Sequence, residues 1–153
     1  VTAKEYLRQL KTLDNMINAK LLEKERMRAL ATKVTSNLEE RVQDSGSGGI
    51  ENTIIKITEL EAQINADIDR LVDLRDEARV MIDKLGNNNH KAILSMYYVS
   101  NVTFEQIADY MNYSVAGIFK IHGYALREFN EIFQEKIKSE KSKNESVVLC
   151  ILE

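Results

Sequence analysis

Proline and tryptophan are absent from the sequence, and cysteine occurs once, at Cys150. Proline breaks helix interiors and marks strand edges and turns, so its absence leaves long helices uninterrupted. A lone cysteine excludes an internal disulfide framework and any multi-cysteine zinc site. No apolar run approaches the roughly 20 residues needed to cross a bilayer. The N-terminal stretch VTAKEYLRQLKTLD is too charged for a secretory signal. A soluble, cytoplasmic protein with no membrane partner is the expectation. Excess charge of one sign is also missing. The net charge is −3 and the pI about 5.6, unlike a protein that coats nucleic acid. What is present, 153 residues with 44% apolar side chains, suffices for one substantial domain or two small ones.

The charge is unevenly placed. Residues 2–35 hold eight Lys/Arg against four Asp/Glu, and residues 50–85 hold five against nine. Two segments of similar length and opposite charge, +4 and −4, are expected to lie side by side. In the first, Tyr6, Leu10, Leu13, Ile17 and Leu21 recur at helical spacing, and Thr2 with Glu5 forms a capping box. In the second, Ile50, Ile54, Ile57, Ile64, Ile68, Leu71, Ala78, Ile82 and Leu85 fill nine of eleven heptad positions, with Glu61 and Arg75 the exceptions. Such a stripe must be covered, since each buried Ile or Leu gains ~1.5–3 kcal/mol. The pattern predicts a coiled-coil-like antiparallel helical hairpin over residues 1–86, with Ile57, Ile64, Ile68 and Leu71 buried against residues 6–30 of the same chain or of a partner. Self-association through the same helices follows from the β-branched seam, making a homodimer the expected assembly. The glycine-rich break between the helices, residues 37–49, reads as a flexible loop. GSGG lacks the preceding strand and GK[ST] ending of a phosphate loop.

Gly86 and Asn87 to Asn89 are expected to stop the second helix, glycine supplying a left-handed terminus. A compact module follows over residues 87–133, and a charged tail over 134–153 is expected to fray after one or two turns. The last residues, VVLCILE, fit no period. Within the module, Ile93, Leu94, Tyr97 and Tyr98 make one apolar face. Thr103 with Gln106 forms a second capping box, opening a short helix whose inner positions are Ile107, Ala108 and Met111. Asn112 and Tyr113 make a tight turn and Ser114 caps the next helix. Small Ala108 permits two helices to cross closely after a three-residue turn, the arrangement of a helix-turn-helix whose second helix enters the major groove.

The run T-F-E-Q-I-A-x-x-M-x-x-S-x-x-x-I followed by A-L-R, at Thr103, Glu105, Ile107, Ala108, Met111, Ser114, Ile118, Ala125, Leu126 and Arg127, resembles region four of bacterial sigma factors. The whole arrangement, a charged hairpin before such a module, is similar to phage and prophage proteins of Gram-positive bacteria grouped with the ArpU-like late-transcription regulators. The missing proline and the heptad runs predict an all-α fold; the resemblance implies a DNA-binding transcription regulator of phage origin, with double-stranded DNA as ligand and RNA polymerase as a candidate co-binder. The expected contact residues are Thr103, Ser114, Val115, Ala116, Gly117, Phe119, Lys120, Gly123, Tyr124 and Arg127. Unlike sigma recognition helices, this one carries few cations: placing Ile118 inward leaves Lys120 and Arg127 on the outer face. Phosphate attraction is therefore weak for one copy, which favours a dimer or a co-binder. The competing reading is an interaction protein that binds RNA polymerase or another regulator through the hairpin.

No catalytic constellation is apparent. Asp69, Asp73, Asp76 and Glu77 could suggest a magnesium site, but Arg70, Arg75 and Arg79 are interleaved with them. A solvated face toward the basic helix is the expectation. His90 and His122 lack a second ligand at helical spacing and read as structural or solvated. Neither an enzyme nor a cofactor is implied.

Overall fold

The computed structural model describes residues 1–38 and 47–151, and every regular element among them is a helix. The fold is all-α. In chain order the elements are α1 (Ala3–Leu38), α2 (Ser47–Ile82), α3 (Asn88–Leu94), α4 (Phe104–Met111) and α5 (Val115–Ile151). A π-helical turn, Ser95–Val99, continues α3. Among the described residues no helix is long and apolar enough to cross a membrane. The chain divides into two compact units, one of Thr12–Asp73 and one of Val1–Lys11 with Leu74–Glu153.

In the unit Thr12–Asp73 the opposite charges of the two long helices meet as ion pairs. Lys20 Nζ lies 2.5 Å from Asp67, Arg28 2.5 Å from Glu61 and Lys24 3.8 Å from the same carboxylate. Ascending residues of α1 meet descending residues of α2, so the helices run antiparallel. Exposed ion pairs contribute only ~0–1 kcal/mol each. The larger contribution comes from buried Leu13, Ile17, Leu60, Ile64 and Leu71, at ~1.5–3 kcal/mol apiece.

Within Thr12–Asp73 the buried row departs from the heptad reading around Glu61 and Ile68. Ile64 and Leu71 face inward, but Leu60 replaces Glu61, and Asp67 rather than Ile68 turns toward α1. Ile68 is 39% exposed, Ile54 is exposed, and Ile57 is half-buried. Lys20 and Arg28 reach across to Asp67 and Glu61, which border the seam, while Ile68 beside Asp67 faces outward. The acidic row Asp69, Asp73, Asp76 and Glu77 is exposed as expected, but two of its members pair away from α1. Asp76 pairs with Arg79 on its own helix, and Glu77 with Lys136 of α5. Of the predicted loop 37–49, Asn37 and Leu38 end α1, and Ser47, Gly48 and Gly49 begin α2; residues 39–46 lie outside the described residues.

The other unit is built around α5. Thr2 and Glu5 cap α1 reciprocally, the Thr2 amide donating to Glu5 Oε2 at 2.8 Å and the Glu5 amide to Thr2 Oγ1 at 3.2 Å. Ala3, Leu7 and Leu10 are buried, and the Tyr6 ring lies 5.2 Å from that of Phe133. Helix α2 does not end on a left-handed glycine. It tightens through Lys84 N–H to Met81 O and Leu85 N–H to Ile82 O, and no described glycine has positive φ. Gly86 instead donates its amide to Glu128 Oε1 at 2.6 Å. Asn87 caps α3, its Oδ1 accepting from the amides of Asn89 and His90. The charged tail continues α5 to Ile151 rather than fraying early.

Candidate nucleic-acid interface

Three helices close on one small core. Ile93 of α3, Ile107 and Ala108 of α4 and Ile118 of α5 are buried together, with Met96, Tyr97, Val102, Phe104, Met111 and Ile121 packed around them. The π-helical turn helps to fill it. Ser100 N–H bonds back five residues to Ser95 O at 3.0 Å, and Val102 N–H reaches Met96 O at 2.9 Å. Tyr98 and Val99 of this turn are both buried.

Helix α4 starts at the predicted capping box: Thr103 Oγ1 accepts from the Gln106 amide and Gln106 Oε1 accepts from the Thr103 amide. It stops at Asn112, whose φ of 57° and ψ of 42° are left-handed. Asparagine adopts that conformation more readily than other side chains, at a cost glycine would avoid. Asn112 and Tyr113 both donate their amides to Ala108 O, which closes the turn. Ser114 opens α5, its carbonyl accepting from Ile118 N–H and its Oγ from Gly117 N–H, each at 3.0 Å. Three residues, Asn112 to Ser114, thus join two helices over a shared apolar core.

The two faces of α5 differ sharply. Ile118, His122, Ala125 and Phe129 point inward at intervals of three and four. Val115, Ala116, Phe119, Lys120, Gly123, Tyr124 and Arg127 form the exposed side, as their helical positions predict. Gly117 is half-buried, and a Cβ there would sit 3.1 Å from Ser114 Oγ. Thr103, Ser114 and Gly117 therefore build the turn, whereas the other seven stand on the outer face. Lys120 has no ion-pair partner among the described residues, and the Arg127 guanidinium lies 5.7 Å from the Tyr124 ring centre.

Phe119 is 55% exposed yet fixed. Its ring is 4.4 Å from that of Phe104, which stacks on Tyr97 at 4.1 Å and 17°. His122 closes this column from the inside, with Tyr98 Oη 3.0 Å from its Nε2. Burial, reinforced by the positive charge of Lys4, pushes the His122 imidazole down to about 4. Burial also pushes the Tyr98 phenol up to about 12. The pair is neutral at physiological pH and adds no charge to the exposed face.

Two supporting contacts have no sequence signal. Lys11 Nζ donates to Tyr97 O at 3.1 Å and to Asn101 Oδ1 at 2.6 Å, lying over the Tyr97 ring as well. It thereby holds the second left-handed residue, Asn101, φ 55°. Glu128 binds both Gly86 and His90, the latter at 2.5 Å, and these bonds hold its carboxyl below the ordinary range. Among the described residues no cluster of three histidine, cysteine or carboxylate side chains is disposed to hold a metal.

A family model described as a protein of unknown function (DUF1492) matches residues 33–130, from the end of α1 through the exposed face of α5. No curated protein matches the chain, and no solved structure does.

Proposed function

The chain belongs to the DUF1492 family, and from the geometry of its last three helices we propose that it is a DNA-binding transcription regulator and not an enzyme. The observation that carries this reading is the α4–turn–α5 unit: two capped helices, a three-residue turn closed on Ala108, and an α5 face left uncovered. In a helix-turn-helix the second helix places such a face in the major groove, and the first crosses the backbone. Exposed Lys120 and Arg127 supply phosphate or base-edge contacts, while Ala116 and Gly123 permit close approach. The resemblance of residues 103–127 to sigma region four supports promoter DNA as the ligand. The ArpU-like resemblance supports a phage-derived cytoplasmic regulator acting beside RNA polymerase.

Two cations on one face give a single copy little phosphate attraction, so tight binding needs a second copy or a co-binder. Exposed Ile54, Ile55 and Val72 on α2, with Leu22 and Leu30 on α1, favour the same hairpin as the place where a homodimer forms. They equally support the second reading, in which the hairpin binds RNA polymerase or another regulator and the chain has no operator of its own. A promoter-fragment shift assay across a salt series separates the two. Affinity falling with salt supports the regulator; no duplex binding, with polymerase retained on the immobilised full chain, supports the interaction protein.

A further inference from the structure

The composition of the α5 face narrows what it can read. In the major groove guanine is matched by Arg or Lys, adenine by Asn or Gln, and cytosine by Asp or Glu; thymine is distinguished by its 5-methyl group. The first three turns of α5 expose Val115, Ala116, Phe119, Lys120, Gly123 and Tyr124. They offer neither amide nor carboxylate, and one cation. Adenine and cytosine therefore lack their partners. What this surface offers instead is apolar: a valine 36% exposed, an alanine methyl and the Phe119 ring.

Phe119 is also held in place. An isolated surface phenylalanine would lose rotamer freedom on binding. This one is already the outer member of a column with Phe104 and Tyr97, its ring centre 4.4 Å from Phe104, so ordering it costs little. Gly123, one turn further on, has nothing within 4 Å of where a Cβ would sit, which leaves room beside the ring for a base edge.

We propose that the exposed face of α5 reads duplex DNA through 5-methyl groups of pyrimidines, with Phe119 as the principal contact and Val115 and Ala116 flanking it. This rests on the DNA-binding reading above. The ligand class is a duplex presenting thymine, or 5-methylcytosine, opposite Phe119. Lys120 adds one guanine or phosphate contact beside it.

The test uses the full chain and a randomised duplex library from which bound sites are selected. Each thymine of the selected site is then replaced by deoxyuridine, which removes only the methyl group. A cytosine placed at the same position is compared with 5-methylcytosine. Loss of one buried methyl should weaken binding about 4-fold at one or two positions. In Phe119→Ala, checked for unchanged helicity, thymine and uracil should bind alike, whereas Phe119→Leu should retain part of the preference. Stronger binding of 5-methylcytosine than of cytosine shows that the methyl suffices; equal binding there, with uracil still penalised, restricts the contact to thymine. A sequence-specific site at which uracil equals thymine in the wild type overturns the methyl readout and leaves the DNA-binding reading standing. Failure to bind any duplex at low salt overturns both.

Discussion

Acidification should loosen the unit formed by α4, its turn and α5 through one side chain. His122 is 9% exposed, and its imidazole titrates at about 4 in place of the ordinary 6.5. The unfolded chain takes up this proton first, so between these values it binds more protons than the folded chain and stability falls as pH falls. The contribution is whole above pH 6.5 and gone below about 4. Integrated from about pH 8 to about pH 5, the loss is ~2 kcal/mol, out of ~3 kcal/mol in all. The amides of Ile107 and Ile118, hydrogen-bonded to Thr103 and Ser114 and buried in the shared core, are suitable reporters for hydrogen exchange. Their protection in the wild type should drop by that amount relative to His122→Gln, which keeps a polar group near Tyr98 but cannot take up a proton. Other groups, including the Glu128 carboxyl, cancel in the difference. Parallel pH profiles for the two proteins, or a His122 resonance titrating near 6.5, would refute the argument.

Three other outcomes follow from the geometry. Ile64→Ala should cost ~2–5 kcal/mol and Ile64→Asp should be more severe, whereas Ile68→Ala should stay within ~0.5 kcal/mol; urea denaturation of the three variants tests the seam directly. Asn112→Val places a branched side chain at a left-handed residue and should destabilise by ~1–2 kcal/mol, while Asn112→Gly should melt at or above the wild-type temperature. On a preferred DNA site, Lys120→Ala should lose ~1–3 kcal/mol, Arg127→Ala should flatten the salt dependence by about one unit, and Gly123→Glu should abolish binding with the circular dichroism unchanged.

Features governed by neighbouring residues were legible in the sequence. Both capping boxes, at Thr2 and Thr103, depend only on a side chain and an amide three residues apart. The inward row of α5 likewise follows from a fixed angle per residue. The seam of α2 was half legible: Ile64 and Leu71 lie where the heptad puts them, but a hydrophobic pattern does not reveal that Asp67 will turn inward to meet Lys20 and leave Ile68 outside. Gly86 misled for a related reason. A glycine after a helix suggests a left-handed end, yet here its amide is claimed by Glu128, 42 residues away. The π-helical turn has no composition of its own. Nor does the stripe on α1 say that the Tyr6 ring will meet Phe133 of α5, because amphipathicity marks a face to be covered and not what covers it.

The union of the first eleven residues with the far end of the chain has a cost in time. During synthesis Phe129 and Phe133, buried in the same unit as Leu7 and Leu10, leave the ribosome more than a hundred residues after them. At ~5–20 residues per second the early leucines wait on the order of ten seconds for the helix that completes their unit. Throughout that interval the part of the stripe that meets α5, Tyr6 against Phe133, stays uncovered by that helix. The protein's yield in the cell should depend on what shields that stripe, and slowing translation between α2 and α5 should raise the fraction lost to aggregation.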